Sequence, residues 1–183
     1  MSADIFEWTK IILLILPLIA ILLSLVAWTI INGISPMPTS AKAKSCMLSL
    51  LPPEFHGKIY ELGSGWGTLL FPIARRYPDS QIIGFETSHI PFWFSSLCLK
   101  VTKCSNVKLY RKDFFSVDLS DASLVVCYLY PGAMKKLKSK FESELQPGTY
   151  VISNTFAVPG WIPEKKMDAG DLYHNNIYLY RIP

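Results

Sequence analysis

The pattern of apolar residues divides the chain into one long uncharged stretch and a longer region of short alternating elements. Ile11 to Ile31 is a run of twenty-one residues without a charge. A helix of that length spans roughly 32 Å, close to the thickness of a bilayer's hydrocarbon core at about 30 Å. Trp8 and Trp28 lie near its two ends, where aromatic side chains favour the membrane interface. The pattern predicts one transmembrane helix at residues 11–31, after a short tail at residues 1–10.

A cleavable signal peptide is the alternative interpretation of this segment. Signal peptides combine a basic leader with an apolar stretch of only about 7–15 residues. Here Asp4 and Glu7 precede Lys10, and the apolar stretch is longer than that. We therefore expect an uncleaved anchor that contacts the lipid bilayer through residues 11–31.

Basic residues beside the apolar stretch predict the side of the membrane on which the rest of the chain lies. Only Lys10 precedes the stretch, whereas Lys42, Lys44 and Lys58 follow it. Because cytoplasmic loops are enriched in Lys and Arg, we expect a single-pass protein whose C-terminal domain is on the cytoplasmic or equivalent side. The four cysteines form no CxxC pair and no metal-binding spacing, so we expect reduced thiols in a reducing compartment.

Beyond a linker and pre-domain segment at residues 32–57, apolar strand patterns alternate with helical ones. Strand patterns lie at 58–62, 81–86, 107–111, 123–128, 150–156 and 177–181, and helical patterns at 45–51, 68–77, 91–103 and 133–145. This order predicts an α/β domain at residues 58–183, with a doubly wound, mostly parallel sheet and helices on both faces. The last strand follows the fifth without a helix, so we expect it to be an antiparallel edge strand.

Composition agrees with this division of the chain. The 183 residues are 50% hydrophobic and only 17% charged, whereas soluble domains are about 25% charged. The first 31 residues account for the difference, because no later apolar run reaches the length of a membrane span. Aromatic residues at 13% exclude a disordered chain, and four cysteines are too few for a disulfide scaffold.

The first strand leads into the sequence YELGSGWG, which is the most informative stretch of the chain. Gly63, Gly65 and Gly67 let the backbone turn tightly and approach a ligand just before a helix N-terminus. The dinucleotide motif GxGxxG has a glycine where this chain has Thr68. Glu61 would repel a pyrophosphate, but its carboxylate suits a cofactor with an ammonium and a sulfonium group, namely S-adenosylmethionine.

Two further acids follow the next two strands. Glu86 can accept the hydroxyl groups of a ribose, and Asp113 can bind an adenine amino group while Phe114 packs beside the ring. Each acid alone could be an ordinary loop residue, but the carboxyl ends of parallel strands line one crevice, so three acids after three strands should converge. The predicted cofactor-binding residues are Glu61, Gly63, Ser64, Gly65, Gly67, Glu86, Asp113 and Phe114.

With these motifs, Tyr60 to Phe156 resembles class I, seven-β-strand, Rossmann-like S-adenosylmethionine-dependent methyltransferases. The whole chain resembles the small membrane-anchored lysine methyltransferases that modify ATP synthase c subunit and the adenine nucleotide carrier. That narrower likeness rests on the N-terminal apolar helix and on three segments: PMPTS at 36–40, VDLS at 117–120 and SNTFAVPGW at 153–161. The resemblance implies methylation of a lysine in a membrane protein.

The segment Tyr128-Leu129-Tyr130-Pro131 departs from the Asn/Asp-Pro-Pro-aromatic motif of DNA and glutamine methyltransferases. Aromatic faces can hold an ammonium group, so we expect Tyr130, Tyr128 and Pro131 to line the catalytic crevice, with Tyr130 favoured. Packing alone is the other interpretation of both tyrosines. No general base and no metal site are expected, because methyl transfer mainly requires alignment and exclusion of water.

Three other functions remain open at this stage. The same anchor and crevice would suit a methyltransferase acting on a lipid or a quinone. A non-catalytic cofactor-binding membrane protein would have the same cofactor motifs. An NAD-dependent oxidoreductase is disfavoured by Glu61 and Thr68, and nucleic-acid binding is not expected because the net charge of +4 is modest.

Overall fold

A computed structural model describes residues 2–32 and 37–183, and it forms two compact units that divide after Pro36. The first unit contains the helix α1 (Ser2–Asn32), which has Pro17 in its interior. Within α1, the segment Trp8–Ile30 is long and apolar enough to cross a membrane, with a mean hydropathy of 3.0 over 23 residues. The apolar helix predicted at residues 11–31 is therefore present, and α1 extends through the predicted tail.

The second unit alternates strands and helices. Its elements are α2 (Ala41–Leu50), β1 (Lys58–Leu62), α3 (Leu70–Arg76), β2 (Gln81–Phe85), α4 (His89–Thr102), β3 (Val107–Tyr110), a 3-10 turn (Phe114–Ser116), β4 (Ala122–Cys127), α5 (Pro131–Glu144), β5 (Tyr150–Asn154), β6 (Lys165–Asp168) and β7 (Asn176–Arg181). Three helices, α2, α4 and α5, begin earlier than predicted. Ser40 caps α2 by accepting the N–H of Ala43, and Pro131 occupies the first turn of α5, where its missing N–H is not needed.

The strands of the described residues form one seven-stranded sheet in the order β3-β2-β1-β4-β5-β7-β6. Strands β1 to β5 are parallel, and β7 is antiparallel to both β5 and β6. The predicted mostly parallel α/β sheet is confirmed. The expectation that the last strand forms an edge was wrong, because β6 pairs with its outer side. Strand β6 is four residues of KKMD, all exposed, so it has no apolar alternation that could predict it.

Alternating strand residues supply two hydrophobic clusters, one on each face of the sheet. Ile59, Ile82 and Leu124 pack with residues of α2 and α3 in the first cluster. Tyr60 and Val125, which point to the opposite face, pack with residues of α5 in the second. Helices therefore cover both faces, and the carboxyl ends of β1 to β5 meet at one edge of the sheet.

Candidate functional site

The loop after β1 is bound to the end of β2 and bends through three glycines with positive φ. The N–H groups of Gly63 and Ser64 both donate to the carbonyl of Phe85, at 2.9 and 2.8 Å. The φ angles of Gly63, Gly65 and Gly67 are +75°, +50° and +78°, a region that residues with a side chain rarely adopt. The glycine spacing thus serves a backbone turn at the carboxyl edge of the sheet.

Gly65 differs from its two neighbours in the space beside it. A Cβ built on Gly67 would lie 2.6 Å from the ring of Phe71, and one on Gly63 would lie 3.0 Å from Leu129. A Cβ on Gly65 would meet nothing within 4 Å. The backbone of Gly65 therefore borders open space that a ligand could fill.

Glu86 holds this loop in place from the end of β2. One carboxylate oxygen accepts the N–H of Gly65 at 2.8 Å, and the other accepts the N–H of Ser88 at 2.6 Å. The side chain is buried. Because a carboxylate has about four acceptor sites, two remain for hydroxyl donors of a ligand.

Glu61 is a buried acid beneath the same loop. Glu61 is only 4% exposed, and its Oε2 has no hydrogen-bond partner among the described residues. Burial, and then the nearby charge of Glu86, raise the pKa of Glu61 well above its usual value. The hydroxyl of Ser64 is also buried without a partner in the described part of the chain. An unsatisfied buried polar atom costs free energy, so these two indicate a polar ligand that the loop is built to receive.

Asp113 and Phe114 follow β3. Asp113 is exposed, and its Oδ1 accepts the N–H of Phe115 at 2.9 Å, which caps the 3-10 turn. Phe114 is half-buried and its ring centroid is 4.6 Å from that of Phe115. One carboxylate oxygen of Asp113 thus stabilises the turn that follows it.

Tyr128, Tyr130 and Pro131 lie between β4 and α5. Both tyrosines are half-buried. Tyr130 packs against the second hydrophobic cluster, and its ring lies so close to Gly132 that a Cβ there would be 2.8 Å from it. Gly132 is thus the residue that lets this ring lie over the first turn of α5.

Polar residues that sequence reasoning missed link three separate segments beside β5. Asp171 is buried and accepts the hydroxyl of Ser40 at 3.0 Å and the backbone N–H of Asn175 at 3.0 Å. Asn175 in turn accepts the hydroxyl of Thr155 at 3.0 Å. Thr155 has a φ of +69°, which is strained for a β-branched residue. The network follows the end of β5, beside the crevice.

The segment 37–40 of the PMPTS motif is held between this network and the glycine loop, and Pro36 lies outside the described residues. The N–H of Thr39 donates to the hydroxyl of Thr68 at 3.3 Å. Trp161, by contrast, packs against Phe141 and Tyr180 and donates its ring N–H to Glu142 at 3.0 Å. The first contact is beside the crevice, whereas Trp161 is a packing residue of the α5 face. No group of three His, Cys, Asp or Glu side chains in the described residues could hold a metal ion.

A family model described as the ANTKMT methyltransferase domain matches residues 61–165. This range is more than half of the chain, and it includes the glycine loop, Glu86, Asp113 and the tyrosines after β4.

Curated proteins and a solved structure are similar to the chain over most of its second unit. It is 29% identical over 149 residues to a protein-lysine N-methyltransferase of Saccharolobus islandicus, with 80% of this chain and 92% of that protein covered. It is 32% identical over 125 residues to the adenine nucleotide translocase lysine N-methyltransferase of Mus musculus, which covers 68% of this chain. The match spans 54% of that mouse protein, or about half its length. An RNA methyltransferase from Salinibacter ruber in complex with S-adenosyl-L-homocysteine superposes with a TM-score of 0.72 at 28% identity, with 80% of this chain and 94% of that chain covered.

Proposed function

Because the chain belongs to the ANTKMT methyltransferase domain family, it is an S-adenosylmethionine-dependent methyltransferase, and we propose that it methylates lysine side chains of a membrane protein. The proposal rests on one combination of features. A cofactor loop with unsatisfied buried acceptors is joined, in the same chain, to a helix that is long and apolar enough to cross a bilayer.

The residues at the glycine loop fit the charge and the hydroxyl groups of this cofactor. Glu61 would accept the ammonium group of its amino-acid part, which would satisfy Oε2 and lower the pKa that burial raises. Glu86 would accept the ribose hydroxyls with its two remaining acceptor sites. The open space beside Gly65 leaves room for the cofactor to approach the backbone. Asp113 and Phe114 are proposed to contact the adenine.

When bound, S-adenosylmethionine supplies a methyl group carried on a sulfonium. The chain's own residues then have to hold the acceptor nitrogen in line with that group and to keep water away. A lysine must arrive neutral, and partly apolar surroundings favour the neutral amine by desolvation. Tyr128, Tyr130 and Pro131, after β4, are proposed to form those surroundings. Their aromatic faces can hold an ammonium or methylammonium group.

Two observations support a membrane protein as the substrate. Helix α1 would anchor the enzyme in the bilayer, so that its domain meets proteins of the same membrane. The mouse relative is named for the lysine of a translocase, and the Saccharolobus islandicus relative for protein lysine.

The basic residues after the apolar helix also favour one side of the membrane for the domain. Lys42, Lys44 and Lys58 favour the cytoplasmic or equivalent side.

Labelled S-adenosylmethionine tests the proposal directly. Membranes containing the full chain should transfer label to a protein band, and acid hydrolysis of that band should release methyl-lysine. The variant Glu86→Ala should transfer none, because it lacks both the acceptor for the ribose and the carboxylate that holds the glycine loop. Glu164→Gln, which neutralises an exposed acid, is the matched control and should keep wild-type transfer.

The fraction that carries the label decides between the open functions. Label found only in the lipid extract would refute a protein substrate and establish a lipid or quinone methyltransferase. Binding of S-adenosylhomocysteine by calorimetry without any transfer would refute turnover and establish a cofactor-binding protein.

A further inference from the structure

Helix α4 turns large apolar side chains outward. The buried residues of this 14-residue helix are Pro91 and Ser95. Trp93, Leu97 and Val101 follow one another at intervals of four residues, so they lie in one stripe, and they are 60%, 61% and 73% exposed. A helix of a soluble domain normally exposes its polar residues.

Phe94 extends this stripe toward the cofactor loop. Its side chain is also exposed, and its ring centroid is 5.4 Å from that of Trp66, which stands between Gly65 and Gly67. We refer to Trp93, Phe94, Leu97 and Val101 as the α4 face. Contiguous exposed apolar residues of this kind mark a site of contact with a protein or a membrane.

The segment that contains the α4 face is basic and has no acidic residue. From Thr87 to Lys112 the sequence has no Asp or Glu. Lys100 follows Trp93 by seven residues and therefore lies on the same side of the helix. Arg111 donates from Nη1 to Nε2 of His89, at the first residue of α4, over 2.7 Å. The exposed cations of this segment are Lys100, Lys103, Lys108, Arg111 and Lys112.

An apolar stripe among cations has the chemistry of a helix that lies in a membrane interface. Such helices bury their apolar side chains at the boundary between headgroups and acyl chains, and basic residues beside them attract anionic lipids. Tryptophan in particular favours the headgroup level. A second copy of this chain is a poorer occupant, because two α4 faces would bring like charges together.

Contacts within the second unit connect the α4 face with the first described residues of that unit. Thr39, just after the start of the second unit, donates to Thr68, which follows Trp66 by two residues. Trp66 and Thr68 thus connect the α4 face with the start of the second unit.

We propose that the α4 face lies against the bilayer surface, with its apolar side chains among the lipids and its cations at anionic headgroups. This inference rests on the proposed membrane association. Because α4 begins directly after the loop that contains Glu86, the contact would keep the cofactor edge of the sheet close to the membrane, where the proposed substrate protein is.

A fluorescent label on the α4 face of the full chain tests the proposal in vesicles. Val101→Cys would carry nitrobenzoxadiazole in a chain whose Cys98 and Cys104 are replaced by serine, since Cys46 and Cys127 are buried. Ser139→Cys, an exposed position on α5 and so on the opposite face of the sheet, is the matched control. Both labelled chains must bind S-adenosylhomocysteine like the wild type, which verifies their fold.

Nitroxide-labelled lipid should quench the label at position 101 at least about two-fold more than the label at 139 when about one quarter of the lipid is phosphatidylserine. The difference should shrink in phosphatidylcholine alone. Equal quenching of the two labels would overturn the inference. Shielding of the label at position 101 that needs no lipid and rises with protein concentration would indicate contact with a second copy and would also overturn the inference. Shielding that needs an added membrane protein would overturn it as well.

Carbonate extraction of the same vesicles separates this inference from the proposed function. A chain that resists extraction but has equally quenched labels would overturn docking by the α4 face and leave the anchor intact. Release of the chain by carbonate would overturn the transmembrane anchor, whereas the quenching comparison decides docking by the α4 face separately. Methyl transfer to lysine is measured independently of either result.

Discussion

Replacing Glu86 by glutamine removes a charge from the centre of the cofactor site with almost no change of shape. Both carboxylate oxygens accept a backbone N–H, from Gly65 at 2.8 Å and from Ser88 at 2.6 Å. Glutamine has one carbonyl oxygen to offer, so it can keep one of these bonds. Its NH₂ group must then face the other N–H, which places donor against donor in a buried site.

The magnitude follows from these two contacts. A hydrogen bond to a charged group contributes about 1.5–3 kcal/mol, and losing one should lower the free energy of unfolding by about 2 kcal/mol. If ribose hydroxyls also bind this carboxylate, their acceptor becomes neutral and weaker. A further loss of about 1.4 kcal/mol in binding corresponds to a tenfold weaker affinity for S-adenosylhomocysteine.

Denaturant unfolding in detergent and titration calorimetry measure the two effects separately, with Glu164→Gln as the control for both. Glu164 is exposed, so its neutralisation should change stability by no more than about 0.5 kcal/mol. Lower stability with unchanged affinity would refute the role of Glu86 in ribose binding. Unchanged stability would refute the proposed energetic role of the two hydrogen bonds themselves.

Three other variants test separate parts of the site. Glu61→Gln should gain stability relative to the wild type as the pH rises above about 4.3. Because the pKa of Glu61 is raised, the folded wild type keeps a proton that the unfolded chain has lost, so the Tm of the wild type should fall relative to that of the variant. Parallel Tm curves would contradict this. Gly65→Ala and Gly148→Ala each put a side chain at positive φ with no atom within 4 Å, so both should lose about 1–2 kcal/mol of stability. Calorimetry should find weaker S-adenosylhomocysteine binding only for Gly65→Ala; equal binding by both would count against the cofactor loop. Asp171→Asn should weaken the bonds to Ser40 and Asn175, which lowers the Tm and speeds hydrogen exchange of the Asn175 amide; an unchanged exchange rate would argue against the network.

Local sequence patterns were sufficient for the loop that surrounds Glu86. A strand, a glycine-rich turn and a helix follow one another within a few residues, and parallel topology brings the ends of neighbouring strands together. The hydrogen bond between Gly65 and Glu86 joins residues 21 positions apart as that rule requires. The roles of these residues toward the cofactor stay predictions.

Long-range polar contacts could not be predicted in the same way. All four residues of strand β6 are exposed, and the strand pairs with β7. Asp171 is buried because Ser40 reaches it from a segment 131 residues away. Nothing in the sequence around Asp171 or Ser40 distinguishes these two residues from ordinary turn residues.

The side of α4 that faces outward also could not be predicted from the sequence. Its sequence HIPFWFSSLCLKVT is apolar on more than one side, so periodicity predicts a helix but not the side that packs on the sheet. The structure buries the small residues Pro91 and Ser95 and leaves Trp93 and Leu97 exposed. The buried side is selected by packing against the neighbouring strands, and the sequence of the helix alone does not specify that packing.

Transfer of label from S-adenosylmethionine to lysine in isolated membranes tests the central claim most directly. With the wild-type chain, we expect methyl-lysine in a membrane protein, and with Glu86→Ala we expect none. Label confined to the lipid fraction, or equal lysine labelling by the two chains, would contradict the account.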